Sequence, residues 1–236
     1  MKNKITGLIL ALSLAFFGCS GSDDGNGPTG GGGGGGQQVV QATYRITFTP
    51  NFTDQSHPTD YPANPGFGPM MVVAHPSTVS VFREGLSATE GLEMYAEDGV
   101  TSQLEVELNS VPDTDLPTIR IGSQISADAS DFIDIVITPN TTRLSFIAKL
   151  SPSPDWFVGV DSFNLVNPDN TLVAEFELTL LAYDAGTDGG TTYDSADVEE
   201  SGAVQVVSGD PFVNPATSSV SRFGTLHIER TDDPVE

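Results

Sequence analysis

The chain has 236 residues, which is enough for one substantial hydrophobic core and predicts a single folded domain. Its 9 lysine and arginine residues stand against 32 aspartate and glutamate residues, a formal net charge of −23. This acidity excludes nucleic acid and anionic membrane surfaces as partners, because both demand positive charge, and it makes cations natural partners. Apolar residues make up 38% of the chain, so the acidic side chains are expected to coat a folded globule.

The first residues have the pattern of a bacterial lipoprotein signal peptide. Two lysines precede the apolar run 5–17, which is too short to span a bilayer, and Cys19 follows Gly18. We therefore expect cleavage of residues 1–18, lipidation of Cys19, and a lipid anchor in the cell envelope, at the outer membrane or the cell surface. Phe16 and Phe17 stand where Leu and a small residue are usual, so a simple signal peptide with a chance cysteine is the alternative.

The chain divides by composition into a tether, a domain and a tail. Residues 19–38 are Gly-rich and predict a flexible tether, residues 39–230 predict the folded domain, and residues 231–236 form an acidic tail. Cys19 is the only cysteine, so the domain has no disulfide. It must depend on its core for stability, with a bound metal ion as a further candidate contribution.

Alternating apolar and polar residues predict antiparallel strands in the domain. Residues 44–49 (YRITFT) and residues 104–108 (LEVEL) both have the period of a half-buried strand. Further apolar runs separated by turn residues predict strands at 132–137, 144–150, 157–160, 172–181, 204–207 and 225–228. This regular spacing favours an all-β fold, an antiparallel β-sandwich with at most one or two short helices.

One helix and one long loop are predicted within this pattern. The helix is predicted at 88–97, because Ser87 and Glu90 fit a capping box and Gly99 follows as a stop signal. Residues 187–203 are polar, acidic and Gly-rich, which predicts a long surface loop.

The domain offers few catalytic groups. Its histidines are His57, His75 and His227, and the sequence contains no nucleophile elbow, no zinc-protease motif and no thiol beyond Cys19. His57 lies in a proline-rich loop and His75 at a strand end, where a loop hydrogen bond is the expected role. We therefore expect no enzymatic activity. Paired carboxylates of a glycoside hydrolase stay open, because an acidic chain offers many such pairs.

Three aspartates are predicted to converge at one end of a hairpin. If 157–165 runs out and 172–181 returns, Asp155 and Asp184 meet, and Gly186 lets the loop curl so that Asp188 faces the same point. Three carboxylates without histidine or cysteine suit a hard cation, and Ca²⁺ is the best match outside the cytoplasm. An Asp-x-x-x-Asp spacing also arises by chance in so acidic a chain, so Asp155 as a plain turn residue is the alternative.

Several separated motifs resemble one known family. They are YRITFTPNF at 44–52, SHPTDYP at 56–62, His75 before a strand, Thr89-Glu90-Gly91, SPSPDWFVGV at 151–160 and DAGTDGGTTYDS at 184–195. In this order they resemble the spondin domain, the amino-terminal module shared by F-spondin and mindin. The resemblance implies a C2-like antiparallel β-sandwich of extracellular matrix proteins, with a calcium ion held by Asp155, Asp184 and Asp188. This chain lacks the cysteine pairs and the thrombospondin repeats of animal members.

Two classes of function follow from these features. The first is a lipid-anchored, extracytoplasmic calcium-binding module for adhesion or ligand binding, with a protein or glycan ligand that the sequence does not name. The alternative is a secreted hydrolase whose acids act with a metal. In either class we expect Trp156 to be buried and to fix the backbone that aims Asp155, while the neighbouring Phe157 points to the other side of its strand.

Overall fold

The computed structural model describes residues 41–110 and 116–232. The predicted signal peptide, the lipidation site Cys19 and the tether therefore lie outside the described residues, as does most of the acidic tail. Among the helices of the described residues, none combines the length and the apolar character that a membrane crossing needs.

Within the described residues the chain forms fourteen strands and two helices. In chain order they are β1 (Ala42–Pro50), β2 (Gly66–Phe67), β3 (Met71–His75), α1 (Glu90–Asp98), α2 (Ser102–Asn109), β4 (Thr118–Ile121), β5 (Ile125–Ser126), β6 (Asp131–Ile137), β7 (Arg143–Ser151), β8 (Trp156–Asn164), β9 (Glu175–Leu180), β10 (Ala182–Asp184), β11 (Gln205–Val206), β12 (Val213–Asn214), β13 (Ser219–Val220) and β14 (Gly224–Arg230). The predicted all-β class is confirmed.

The strands form two main antiparallel sheets. The first has the order β6-β1-β14-β9. The second has the order β11-β10-β8-β7-β2-β5, and β3 pairs with both β7 and β4 beside this path. A separate short hairpin joins β12 and β13. The predicted antiparallel β-sandwich is therefore confirmed.

The main core lies between the two sheets. Tyr44, Ile46 and Phe48 of β1 are buried, while the residues between them are partly exposed, as the alternating sequence predicts. Phe48 meets Phe146 of β7 with ring centroids 5.3 Å apart, so side chains of the two sheets interlock across this layer.

A second core lies on the other face of the larger sheet. Helices α1 and α2 cover this face, and their buried residues Tyr95 and Leu104 belong to the same apolar cluster as Val73, Ile147 and Phe157. The Tyr95 hydroxyl donates to the Ile147 carbonyl at 3.1 Å. The central strands β3 and β7 are consequently buried on both faces.

The strand predicted at 104–108 is wrong, because these residues belong to α2. Leu104 and Leu108 are buried one helical turn apart, whereas Val106 is 59% exposed on the opposite side. The sequence LEVEL is therefore compatible with a helix, because its two leucines are four residues apart and lie on the same face. Its central valine lies on the opposite face and contributes nothing to the core.

The helix predicted at 88–97 is present as α1, with one difference at its start. The N-cap is Thr89, whose side chain accepts a hydrogen bond from the Leu92 amide at 3.2 Å, and Ser87 has no such role. Gly99 ends the helix in the left-handed conformation, as predicted, with φ 72°. Glycine is needed there because other residues rarely adopt this conformation.

Candidate metal site

Asp155 and Asp184 meet through a different strand pairing from the one predicted. Strand β8 pairs with the three-residue strand β10, so that Asp184 lies opposite Trp156 and Ala182 lies opposite Val158. The continuous strand predicted at 172–181 is wrong, because β9 leaves this sheet and pairs with β14 in the other sheet. Asp155 directly precedes β8, so the two acids still lie at the same end of one strand pair.

Asp155 organises the loop that follows β10. Its side chain is fully buried, and its Oδ2 atom accepts hydrogen bonds from the amides of Thr187 at 2.7 Å and Asp188 at 3.2 Å. Its Oδ1 atom is also buried and has no hydrogen-bond partner among the described residues. A buried carboxylate oxygen without a partner is costly, so a cation beside it would be stabilising.

Asp184 starts the turn of this loop. Its Oδ1 atom accepts a hydrogen bond from the Gly186 amide at 2.7 Å. Burial, and then the charge of Asp155, raises the pKa of Asp184 to about 6. Gly186 has φ 75°, and a Cβ atom there would lie 2.8 Å from the Ala203 amide nitrogen. The loop therefore curls at Gly186 as the sequence predicts.

Asp188 closes the loop against the following segment. It is 5% exposed, and its Oδ1 atom accepts hydrogen bonds from the amides of Gly190 at 2.9 Å and Val198 at 3.0 Å. The segment predicted as a surface loop at 187–203 is mostly exposed, but Tyr193 within it is buried. The loop is thus anchored at both its start and its middle.

Trp156 and Phe157 hold the strand that carries Asp155. The indole of Trp156 is 2% exposed and packs edge-on against Tyr193 and Phe212, with ring centroids 5.3 and 4.6 Å apart. Phe157 points to the opposite face, where it is buried against Phe82. Both side chains are buried because helices and loops cover the second face of the sheet, which fixes the backbone on either side of β8.

The fit of the three aspartates to a metal ion depends on their free oxygens. Within residues 41–110 and 116–232, no group of three or more histidine, cysteine, aspartate or glutamate side chains is arranged to hold a metal ion. One oxygen of each of the three aspartates already accepts hydrogen bonds from loop amides. The feature that fits an ion is the unpartnered Oδ1 of Asp155, together with a donor set made only of oxygen.

Comparison with known proteins decides the family. The Spondin_N family model matches residues 42–218, which is more than half of the chain. The chain belongs to the Spondin_N family. This match confirms the resemblance that the motifs at 151–160 and 184–195 indicated.

The Spondin_N chain is similar to animal spondins over most of its length. Spondin-1 of Homo sapiens is 28% identical over 203 residues, which cover 80% of this chain and 25% of the relative. Spondin-1 of Xenopus laevis is 31% identical over 160 residues, covering 65% of this chain and 20% of the relative. Spondin-2 of Homo sapiens is 30% identical over 228 residues, covering 89% and 64%. The chain thus spans a quarter of the length of human Spondin-1.

Lys149 is a buried cation beside the candidate site that the sequence did not lead us to expect. It is 7% exposed, and its Nζ atom donates to the carbonyls of Ala96 at 2.6 Å and Ser153 at 3.1 Å. Burial lowers its pKa to about 8, against the opposing charges of nearby carboxylates, first among them Asp155. The sequence does contain a feature that indicates a special role for this residue: Lys149 is the only lysine beyond Lys4, and it lies in an apolar strand.

Glu97 brings a further carboxylate to this region from the last turn of α1. Burial raises its pKa, a hydrogen bond with Thr187 opposes this rise, and the charges of Glu93, Asp197 and Asp155 add to it. The end of α1 therefore brings the acids Glu97 and Asp98 to this region, while β7 supplies the ammonium group of Lys149.

His75 contacts a serine, Ser145, but the two side chains are not arranged as a catalytic base and nucleophile. His75 Nε2 lies 2.7 Å from Ser145 Oγ, and Ser145 donates to Asp161 at 2.9 Å, so the serine stands between the imidazole and the acid. His75 and Ser145 are both fully buried. His57 is buried against Phe223, and His227, on the outer face of β14, donates from Nε2 to the Glu175 carboxylate at 2.8 Å.

Proposed function

We propose that this Spondin_N domain is a lipid-anchored, calcium-binding module that presents a ligand-binding surface at the cell envelope. The observation that carries the calcium proposal is the buried Oδ1 atom of Asp155, which has no donor among the described residues. Asp155, Asp184 and Asp188 would hold the ion, with backbone carbonyls and water as further ligands. When bound, the ion would supply positive charge that offsets the repulsion among these carboxylates.

The electrostatics of the loop support this proposal. The pKa of Asp184 is raised by burial and by Asp155, which means that its ionised form is disfavoured without a nearby cation. Lys149 is a buried cation on which these acids act, yet its Nζ atom already donates to the carbonyls of Ala96 in α1 and of Ser153 in the turn before β8. A divalent ion would therefore stabilise the ionised loop more than the protein's own ammonium group does.

The envelope location rests on residues 1–19, whose lysines, apolar run and Gly18-Cys19 pair match a lipoprotein signal. Mass spectrometry of the protein extracted from membranes should show acyl chains on an N-terminal Cys19. An unmodified soluble protein that starts at Ser20 would contradict the anchor. Protease shaving of intact cells would then assign the anchored protein to the cell surface or to the inner side of the outer membrane.

We propose a binding function and not an enzymatic one. The burial of His75 and Ser145 supports this choice, because a nucleophile and its base must reach a substrate. The ligand would be a protein or a glycan of the cell surroundings. Glycan and matrix arrays probed with the purified domain, with calcium and with chelator, would identify its class. Calcium-dependent cleavage of an arrayed polysaccharide or ester would contradict the binding proposal.

Titration calorimetry tests calcium binding itself. The domain from residue 39 should release or take up heat on addition of calcium, with one ion per chain at saturation. Asp155→Asn, which keeps the size of the side chain and removes its charge, should abolish this signal. Asp134→Asn is the matched control, since Asp134 is partly exposed and pairs with Arg45 on the smaller sheet. Equal titrations for both variants would contradict the assignment.

A further inference from the structure

Two strand edges face each other without a strand between them. Strand β9 ends the smaller sheet and, within the described residues, pairs only with β14. In the larger sheet, β10 pairs with Trp156, Phe157 and Val158 of β8, and no described strand pairs with 159–164 on that edge. Unpaired edges of this kind are templates for the addition of another strand.

A groove of about 540 Å³ runs between these two edges. Gly159 and Val160 of β8 line one side, and Leu178 and Thr179 of β9 line the other. The charged residues that line it are Arg83, Glu84 and Asp161. The walls thus include residues of both strands whose edges are unpaired within the described residues.

The side chains of β9 alternate in a way that defines a complementary strand. Phe176, Leu178 and Leu180 share the core-facing side, and Phe176 is still 43% exposed while its ring lies 4.9 Å from that of Phe163. Glu175 and Glu177 are exposed on the outer side. A strand added to this edge therefore meets apolar side chains on one face and carboxylates on the other.

We propose that β9 binds an extended peptide segment of another protein in which basic and apolar side chains alternate. Backbone hydrogen bonds to the free edge would supply affinity, and the side-chain pattern would supply specificity. Opposite charges directly across a strand pair are favourable, so lysine or arginine fits beside Glu177 and also beside the exposed Glu175, which accepts a hydrogen bond from His227 within the domain. The inference does not depend on the calcium site, whose residues do not line the groove.

A second copy of this chain fits the edge less well than such a peptide. If two β9 strands paired antiparallel about Glu177, that residue would lie directly opposite Glu177 of the other copy, and like charges in this position are destabilising. Each copy also carries a formal net charge of −23, which opposes self-association.

The experiment uses a synthetic peptide of alternating lysine and valine residues, with a strand as long as the 6 residues of β9. Two further peptides serve as comparisons: the same sequence with alternate backbone nitrogens methylated, and one with glutamate in place of lysine. Calorimetry measures affinity, and amide hydrogen exchange reports on β9. We expect the lysine peptide to bind at least ten times more tightly than either comparison and to protect amides of β9.

A charge-reversed variant separates strand addition from general attraction. The double change Glu175→Lys and Glu177→Lys should weaken the lysine peptide at least tenfold and make the glutamate peptide the better ligand. The double change Glu90→Lys and Glu93→Lys on α1 alters net charge equally and should leave the order of the peptides unchanged. Equal binding of the methylated peptide, equal effects of both variants, or a dimer that buries β9 in sedimentation experiments would overturn the proposal.

Discussion

Replacement of Asp155 by asparagine separates the two roles of this side chain, which are to organise the loop through hydrogen bonds and to bind the proposed ion. Asparagine has nearly the same shape, and its oxygen can still accept the hydrogen bond that Thr187 donates to Oδ2. The change removes the charge and the unpartnered Oδ1 atom, which is the feature that we assign to calcium. The variant therefore keeps much of the loop's organisation while losing the ion.

The expected magnitude follows from linkage. An ion that binds only the native state adds about 2.7 kcal/mol to the free energy of unfolding when its concentration is one hundred times Kd. For a domain of this size, 1 kcal/mol shifts Tm by roughly 2–4 °C, so calcium should raise the Tm of the wild-type domain by about 5–11 °C. Asp155→Asn should lose most of this rise.

The assay is thermal unfolding of the domain from residue 39, measured in calcium and in chelator. Asp184→Asn and Asp188→Asn should lose the calcium effect as well, whereas Asp134→Asn should retain it, because Asp134 lies on β6. If the wild-type midpoint is the same in both conditions, and calorimetry detects no binding at millimolar calcium, Asp155 is only a residue that organises a turn.

Three further predictions concern the core, the pH response and the charge near the site. Leu104→Ala should lower the free energy of unfolding by about 2–5 kcal/mol, because Leu104 is buried in α2, while the exposed Val106→Ala should change it by less than about 0.5 kcal/mol; denaturant unfolding measures both. Burial lowers the pKa of His57 to about 4, so the native state binds this proton less readily than the unfolded state, and stability should fall as pH drops from about 6.5 towards 4. His57→Phe should remove on the order of 2–3 kcal/mol of that fall, and an identical pH profile for the variant would contradict the assignment. Lys149→Met should tighten calcium binding by about two- to fivefold in calorimetry, because it removes a buried positive charge near Asp155, whereas the exposed Arg120→Met should not.

The strands of the sandwich were predictable from the sequence where buried and exposed side chains alternate along the chain. In β1, every second side chain faces the main core, so Tyr44, Ile46 and Phe48 identify both the strand and its buried face. The residues 104–108 show the limit of this reasoning. Their alternation also places two leucines one helical turn apart, and the choice of helix depends on packing against α1, which no local pattern reveals.

The strand pairing that places the acids of the candidate site differs from the predicted one. Asp155 and Asp184 lie at the same end of one strand pair, as expected, but this pair is β8 with β10, because β9 crosses to the other sheet. A strand that changes sheets is set by distant partners in β14 and not by its own residues. The contacts of Lys149 could not be predicted for a similar reason, since they depend on where the end of α1 lies.

The most direct test of a cation at this loop uses the single tryptophan of the chain as its reporter. Trp156 directly follows Asp155 in the chain, and Asp184 lies opposite it on the neighbouring strand. A terbium ion bound in place of calcium would therefore lie close to the indole and should emit light when the indole is excited. Calcium should displace terbium and remove the emission, and Asp155→Asn should show none. Trp156→Phe should lose the emission yet keep the rise of Tm in calcium. Wild-type emission that is absent, or that persists unchanged in Asp155→Asn, would contradict a metal site at Asp155.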